Sequence, residues 1–376
     1  MQDEFDRTIF TSRKPAGADR LLAPDAIGHY LVVLQGSEPG KLIEITAAPI
    51  TIGRDAQQTT LVFRDAELSR RHAQVSLVNG EAVVEDLRST NGTFVDGEKL
   101  DTPVVMRQGN VLRLGSQVFR YERRSRQDAE RAGELDRDLL RASNYVLSLL
   151  PAPLDKGPVL TEWRFVPSTQ LAGDAFGYYW LNPETFVCYL LDVSGHGAGS
   201  AMHSVTVLNV LRQRALPDVD FTDPASVLAS LNTRFQMDDH HGLFLTIWYG
   251  VYRTTDRSLV CGSAGHHPAY LVSADRSSMQ PFGDSALMIG VMPATRFPVQ
   301  KTTVAPGTRL YVFSDGAFEI ETKDDTRWSR EDFLPLLQMP VIPQVSEADR
   351  VYEAVKSAAR PGPLDDDLSI MVITFQ

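Results

Sequence analysis

Acidic residues stand at the mouths of three apolar, strand-like runs. Asp192 ends TFVCYLLD and is followed by a glycine-spaced turn, SGHGAG, that opens a helical stretch; Asp315 ends RLYVFSD; the acidic cluster DDD leads into LSIMVITF. A carboxylate at the end of a buried strand costs free energy unless a counter-charge neutralises it. Three such placements in one domain point to carboxylates gathered on hard divalent cations, and so to metal-assisted hydrolysis. The strand–glycine–helix passage also suggests a dinucleotide site. Gly195-His196-Gly197-Ala198-Gly199-Ser200 departs from the GxGxxG order, however, and Asp192 would set an anion where a pyrophosphate should lie.

A second set of chemistry-bearing residues lies nearer the N-terminus: Gly53-Arg54, Ser69-Arg70-Arg71-His72 and Ser89-Thr90-Asn91-Gly92-Thr93. Core strands have no use for such groups, whereas loops at one end of a β-sandwich can bring the three segments together. Arginine and hydroxyl donors are what a phosphate dianion needs, because charge-assisted hydrogen bonds are the strong ones. Asn91-Gly92 alone would be an ordinary turn.

The elements that must position these residues divide the chain. At 376 residues it should hold two domains, and 43% hydrophobic residues suffice for ordinary cores. A net charge of −11 argues against a nucleic-acid or anionic-membrane partner. Cys188 and Cys261 sit in apolar runs and read as buried reduced thiols. No stretch is long and apolar enough to span a bilayer, and MQDEFDRTIF lacks the basic and apolar parts of a secretory signal, so a soluble cytoplasmic protein is expected. Residues 1–27 read as a flexible tail. Residues 28–122 carry short strand-like runs separated by turn signals such as Asn79-Gly80 and Asp96-Gly97, which predicts an all-β sandwich. Residues 123–153 are helix-favouring until Pro151 and Pro153 stop them. Residues 154–376 alternate strand and helix patterns, predicting an α/β layered sandwich. Helices are expected at Ala198–Arg214 and Pro224–Phe235, the second capped by Asp223. In the linker Leu135, Leu139, Ala142, Val146 and Leu149 form an a/d seam about two heptads long. Two readings stay open for residues 135–149: packing on a neighbouring domain, or a parallel contact making a homodimer.

The order GR, SRRHA, DLRSTNGTFVDG closely resembles the forkhead-associated (FHA) domain over residues 28–122. The resemblance implies an eleven-stranded sandwich that binds phosphothreonine peptides. Arg54 and Ser69 would hold the phosphate, Thr90 would add a contact, Asn91 would bond the peptide backbone, and Arg70 is placed to touch ligand. His72 fits the family's structural histidine. The doubled Arg70-Arg71 would tilt preference toward acidic peptides. In the tail, Thr8 and Thr11 follow Asp3, Glu4 and Asp6; a phosphothreonine there could dock in this pocket or a sister's, or the tail has no role.

From residue 171 the motifs LAGDAFGYYW, LLDVSGHGAGS, SAGHHPAYLV, YVFSDG and LDDDLSIMVI follow in order. Together they resemble the PPM-type metal-dependent protein phosphatases, in the bacterial SpoIIE/RsbU-type branch, over about residues 150–376. The resemblance implies an α–β–β–α sandwich with two Mn²⁺ or Mg²⁺ ions at one end of its sheets. Asp192 would bridge the ions with the Val193 carbonyl as a further ligand, and Asp174, Asp315 and Asp366 would complete the set. A water between the ions would attack phosphorus in line, without a phosphoenzyme. His196 would protonate the leaving oxygen or brace its loop; His266 would be structural or at the site's edge. The family's first motif often reads GGDFYD, whereas Gly177 stands here at the second aspartate, and Ser369 replaces a usual threonine.

The combination implies a protein serine/threonine phosphatase directed by a phosphothreonine reader. It would hold a phosphorylated kinase or scaffold, with phosphorylated anti-anti-sigma proteins as the branch's frequent substrates. A non-catalytic adaptor with a pseudophosphatase domain is the rival, favoured only by Gly177. A metal-dependent nuclease is disfavoured by the acidic balance.

Overall fold

Alternation of apolar and polar residues builds the first unit, Met1–Asp138. The computed structural model describes residues 27–36, 40–195, 197–324, 326–360 and 364–376. Within the first unit it forms eleven short strands in two sheets. One sheet runs Leu42–Ile45, Ile27–Gln35, Gln117–Ser125, Val111–Leu114, Thr93–Val95, Glu98–Lys99; the other runs Leu61–Val62, Ile50–Gly53, Ala73–Val78, Glu81–Asp86, Val104–Val105. Inward residues of both sheets, among them Leu31, Ile52, Val75, Val84, Leu112 and Phe119, share one apolar interior. Between the inward Leu112 and Leu114, Arg113 faces out and lies over the Phe94 ring, 4.0 Å from its centroid. This is the predicted all-β sandwich.

The last strand continues to Ser125, because Arg124 and Ser125 still pair with Gly28 and Ile27. Helix Arg126–Leu149 begins there, with the Ser125 hydroxyl accepting from Asp128 N at 3.1 Å. Along the expected seam Leu135 is 60% exposed, whereas Val146 is buried and Leu149 packs on the core of the second unit. Leu140 and Tyr145, off the seam, are also largely exposed. Among the described residues no helix is long and apolar enough to cross a membrane.

The second unit, Leu139–Gln376, stacks two sheets between helices. One sheet orders Val159–Val166, Leu368–Phe375, Arg309–Phe313, Ala269–Val272, Met279–Phe282; the other orders Asp174–Asn182, Thr185–Val193, Leu245–Arg253, Ser258–Ala264, Ser285–Ala286. Pairing is antiparallel except at the two-residue edge Ser285–Ala286. Phe176, Cys188, Trp248, Val312 and Met371 fill the space between the sheets. Helices Ala198–Arg212 and Pro224–Arg234 cover one outer face, and Glu347–Ala358 covers the other. The layers are therefore α–β–β–α. Asp223 caps the second helix by accepting from Ala225 N at 3.1 Å. The first helix stops two residues short of expectation because Arg214 turns left-handed at φ 54°.

Candidate metal centre and phosphopeptide loops

Antiparallel pairing brings the four candidate aspartates to one end of the stacked sheets. Asp174 opens its strand directly opposite Asp192, the last residue but one of the next. On the facing sheet Asp315 lies two residues beyond Phe313, whose partner Ile370 lies four residues beyond Asp366. Side-chain alternation turns Asp174 and Asp192 toward the space between the sheets, in line with Phe176 and Leu190. Asp174 is 2% exposed and accepts from the Ser369 hydroxyl of the opposite sheet at 2.7 Å. Val193 N donates to Gly173 O at 3.3 Å, which seats the segment before Asp174 beside the Val193 backbone. Gly195 and Gly197 take φ of 83° and 87°, so the turn after Val193 needs residues free to be left-handed. His196 lies outside the described residues.

The electrostatics of this end are those of charges without a counter-charge. Burial, then Asp315, Asp366 and Asp367, push the Asp192 carboxyl up to about 7. Burial, then Asp366 and Glu319, push Asp315 up to about 6. Burial and then Asp192 hold Asp174 well above the carboxylate range. The neighbours that act on Asp192 are all carboxylates. Among the described residues no three His, Cys, Asp or Glu side chains are drawn around a single cation position. The fit therefore rests on donor chemistry: oxygen donors of one sign, tied together at the ends of rigid strands, are what hard divalent cations take. Such ions would invert the penalty that each carboxylate suffers from its neighbours.

Asp367 was not singled out from the sequence, and it does much of the positioning. It is buried and accepts from Ser168 N, Ser168 Oγ and Gly173 N at 2.7, 2.9 and 2.8 Å. It thus ties the segment before Asp174 to the mouth of Leu368–Phe375. Ser314 completes the brace, donating to Asp367 O and accepting from Ser369 N, both at 2.9 Å. Alternation along DDDLSI, with Asp367 beside the buried Leu368, was the available signal.

Gly177 lies on the other face of its strand from Asp174. It pairs with Tyr189, and a Cβ there would strike the Tyr189 ring under the helices. Its missing carboxylate therefore takes nothing from the aspartate end. His266 is 3% exposed, bonded through Nδ1 to His267 O at 2.8 Å, and burial lowers its pKa to about 4. It stays a neutral imidazole inside the loop that precedes Ala269–Val272.

In the first unit three loops meet at one end of the sandwich. Arg54 N donates to Ser69 O at 3.1 Å, and the Ser69 hydroxyl accepts from Thr90 N at 2.9 Å with the two hydroxyls 3.3 Å apart. Asn91 Nδ2 donates to Glu67 O at 2.8 Å. Buried His72 joins two of the loops: Nδ1 accepts from Ser69 N at 3.2 Å, which leaves Nε2 to donate to Gly92 O at 3.0 Å. Asp86 gathers Ser89 N, the Ser89 hydroxyl and the Thr93 hydroxyl. Arg54 and Arg70 are exposed beside this frame.

Comparison with known proteins agrees with both descriptions. The family model Stage II sporulation protein E (SpoIIE) matches residues 182–376, just over half the chain, and the FHA domain model matches residues 50–115. The FHA domain-containing protein FhaB of Mycobacterium tuberculosis is 44% identical over 87 residues, covering 23% of this chain and 56% of FhaB. The phosphoserine phosphatase RsbU of Bacillus subtilis is 22% identical over 209 residues, covering 55% of this chain and 61% of RsbU. The chain thus spans little more than half the length of either relative. Among solved structures the SiaA-PP2C domain of Pseudomonas aeruginosa superposes with a TM-score of 0.56 at 18% identity, over 65% of this chain and 98% of that one. At that identity the likeness is one of fold.

Proposed function

Since the chain belongs to the Stage II sporulation protein E (SpoIIE) family and carries an FHA domain, we propose that it is a metal-dependent protein serine/threonine phosphatase directed by phosphothreonine. The observation that carries this is the gathering of Asp174, Asp192, Asp315 and Asp366 at one end of two stacked sheets, where Asp192 raises the Asp174 carboxyl and Asp315 and Asp366 raise that of Asp192. Those four side chains, with the Val193 carbonyl, would hold two Mn²⁺ or Mg²⁺ ions. When bound, such ions supply a nucleophilic water at neutral pH and neutralise charge on the phosphoryl oxygens.

The protein's own groups do the rest. Ser369 orients the inner Asp174 carboxylate, and Asp367 fixes the backbone on which Asp174 stands. His196, three residues after Val193 in the sequence, would give the proton to the leaving seryl or threonyl oxygen. In the first unit Arg54, Ser69 and Thr90 would receive the phosphate of a phosphothreonine, with Asn91 and Arg70 on the peptide. A phosphorylated protein held there, such as a serine/threonine kinase or a scaffold, would bring its phosphosites to the chain. A phosphorylated anti-anti-sigma protein is the substrate the family suggests, and RsbU is itself a phosphoserine phosphatase.

The test is phosphate release from phosphoserine and phosphothreonine peptides, with Mn²⁺ and then with chelator. Turnover that appears with the metal and disappears with the chelator supports the phosphatase. Phosphopeptide binding without turnover at any metal concentration would leave an adaptor instead.

A further inference from the structure

The loops that carry Ser69 and Thr90 run on side by side toward their sheet. Two residues beyond Ser69 comes Arg71, and two residues before Thr90 comes Arg88. The ladder between Ala73–Val78 and Glu81–Asp86 pairs Ala73 with Asp86, and Leu87 N donates to His72 O at 2.8 Å. Arg71 and Arg88 are the next residues out from His72 and Leu87, in the loops beyond the strands. Both line a single cleft of about 260 Å³ with Glu85, Asp86 and Leu87.

The two arginines lie in the loops just beyond these strands, and both are exposed to solvent. Arg88 also holds φ at 60°, a left-handed conformation that a long side chain rarely adopts. Neither arginine makes an ion pair among the described residues. The Asp86 carboxylate is engaged by Ser89 and Thr93, and Glu85 is exposed at the rim. Two exposed guanidinium groups beside the phosphothreonine loops, lining one cleft with no ion-pair partner among the described residues, are free to take an anion.

We propose that Arg71 and Arg88 form a second anion subsite beside the phosphothreonine pocket, selecting peptides with a carboxylate or a second phosphate close to the phosphothreonine. The inference rests on the phosphothreonine reading of the first unit and names the ligand more narrowly. Two residues of chain separate Ser69 from Arg71 and Arg88 from Thr90, at most about 7 Å, a span that one to three peptide residues cover. Paired guanidinium groups suit a phosphate dianion or a carboxylate through charge-assisted bonds.

The experiment measures binding of the full chain to three labelled phosphothreonine peptides by fluorescence anisotropy. They carry neutral flanks, an Asp or Glu, or a phosphoserine, with the acidic group moved through the neighbouring positions. Wild type is expected to bind the carboxylate peptide about fivefold tighter than the neutral one, and the doubly phosphorylated peptide about tenfold tighter. Salt should shrink both gains. In the Arg71→Gln, Arg88→Asn double variant the gains should vanish while affinity for the neutral-flank peptide is unchanged; Asn suits the left-handed backbone, so folding is preserved. A gain with either acidic group supports the subsite, and the larger gain names its ligand. Equal affinity for all three peptides in wild type, or gains that survive in the double variant, would overturn it. Failure of wild type to bind any phosphothreonine peptide, matching an Arg54→Ala control, would instead overturn the phosphothreonine reading and take the subsite with it.

Discussion

Asp192 is kept in place against its own charge. Its carboxyl is raised to about 7 in the fold, against 3.8 when free, so it favours the folded state fully below pH 4 and loses that contribution as pH rises through 7. With chelator present, Asp192→Asn should therefore stabilise the protein near neutral pH, by up to about 4 kcal/mol. The gain should shrink toward zero at pH 4. Urea unfolding of both proteins across that range checks it; a destabilised variant at pH 7.5 would contradict the account. Gly177 is the converse case. Gly177→Asp should cost roughly 3 kcal/mol or more, because it sets a carboxyl against Tyr189 in the apolar layer, and it should not tighten Mn²⁺ binding. Thermal melts and calorimetric titration separate those effects. Asp192 and Asp315 were legible because each closes an apolar run, whereas Asp174 and Asp366 were picked out only by the order of motifs resembling the phosphatases. Asp367 was not, because its partners Ser168 and Gly173 lie almost 200 residues away, 199 and 194 along the chain.

Loops and strand ends carry the proposed site residues, and their bracing is hydrogen-bonded rather than hydrophobic. His72 holds Ser69 N and Gly92 O at once from a fully buried position. His72→Ala should leave both groups unpaired and cost on the order of 2–4 kcal/mol in the first unit. It should also weaken phosphothreonine binding, although the imidazole touches no ligand. Melting curves and peptide titration of the variant test this, and unchanged binding would contradict the bracing role. At this scale the sequence read well where periodicity was strong and less well at ends. Helix Ala198–Arg212 was placed to within two residues, while the sandwich's last strand reaches Ser125 because pairing with Ile27 and Gly28 outweighs the helix-favouring composition after Arg123. The linker seam divides between an exposed Leu135 and a buried Val146, a difference that periodicity cannot see.

The whole molecule joins two units with separate apolar interiors, and the fold class of each was legible from pattern and motif order. Separate interiors predict separate ligand effects: Mn²⁺ should raise the melting temperature of the layered unit, and a phosphothreonine peptide that of the β-sandwich. Differential scanning calorimetry with each ligand in turn checks the assignment, and stabilisation of the β-sandwich by Mn²⁺ would contradict it. What no pattern could supply is which protein each unit meets, since that is decided by surface groups such as Arg71 and Arg88 and not by cores. The central claim is that the aspartate end performs hydrolysis and the arginine-bearing loops read phosphothreonine. It is tested most directly by Mn²⁺-dependent phosphate release from a phosphoserine peptide, compared between wild type, Asp315→Asn and Arg54→Ala. The account predicts a loss of about a hundredfold or more in kcat/KM for Asp315→Asn, from the lost metal ligand, and wild-type turnover of the peptide for Arg54→Ala. Full activity in Asp315→Asn, or no turnover in any of the three, would contradict it.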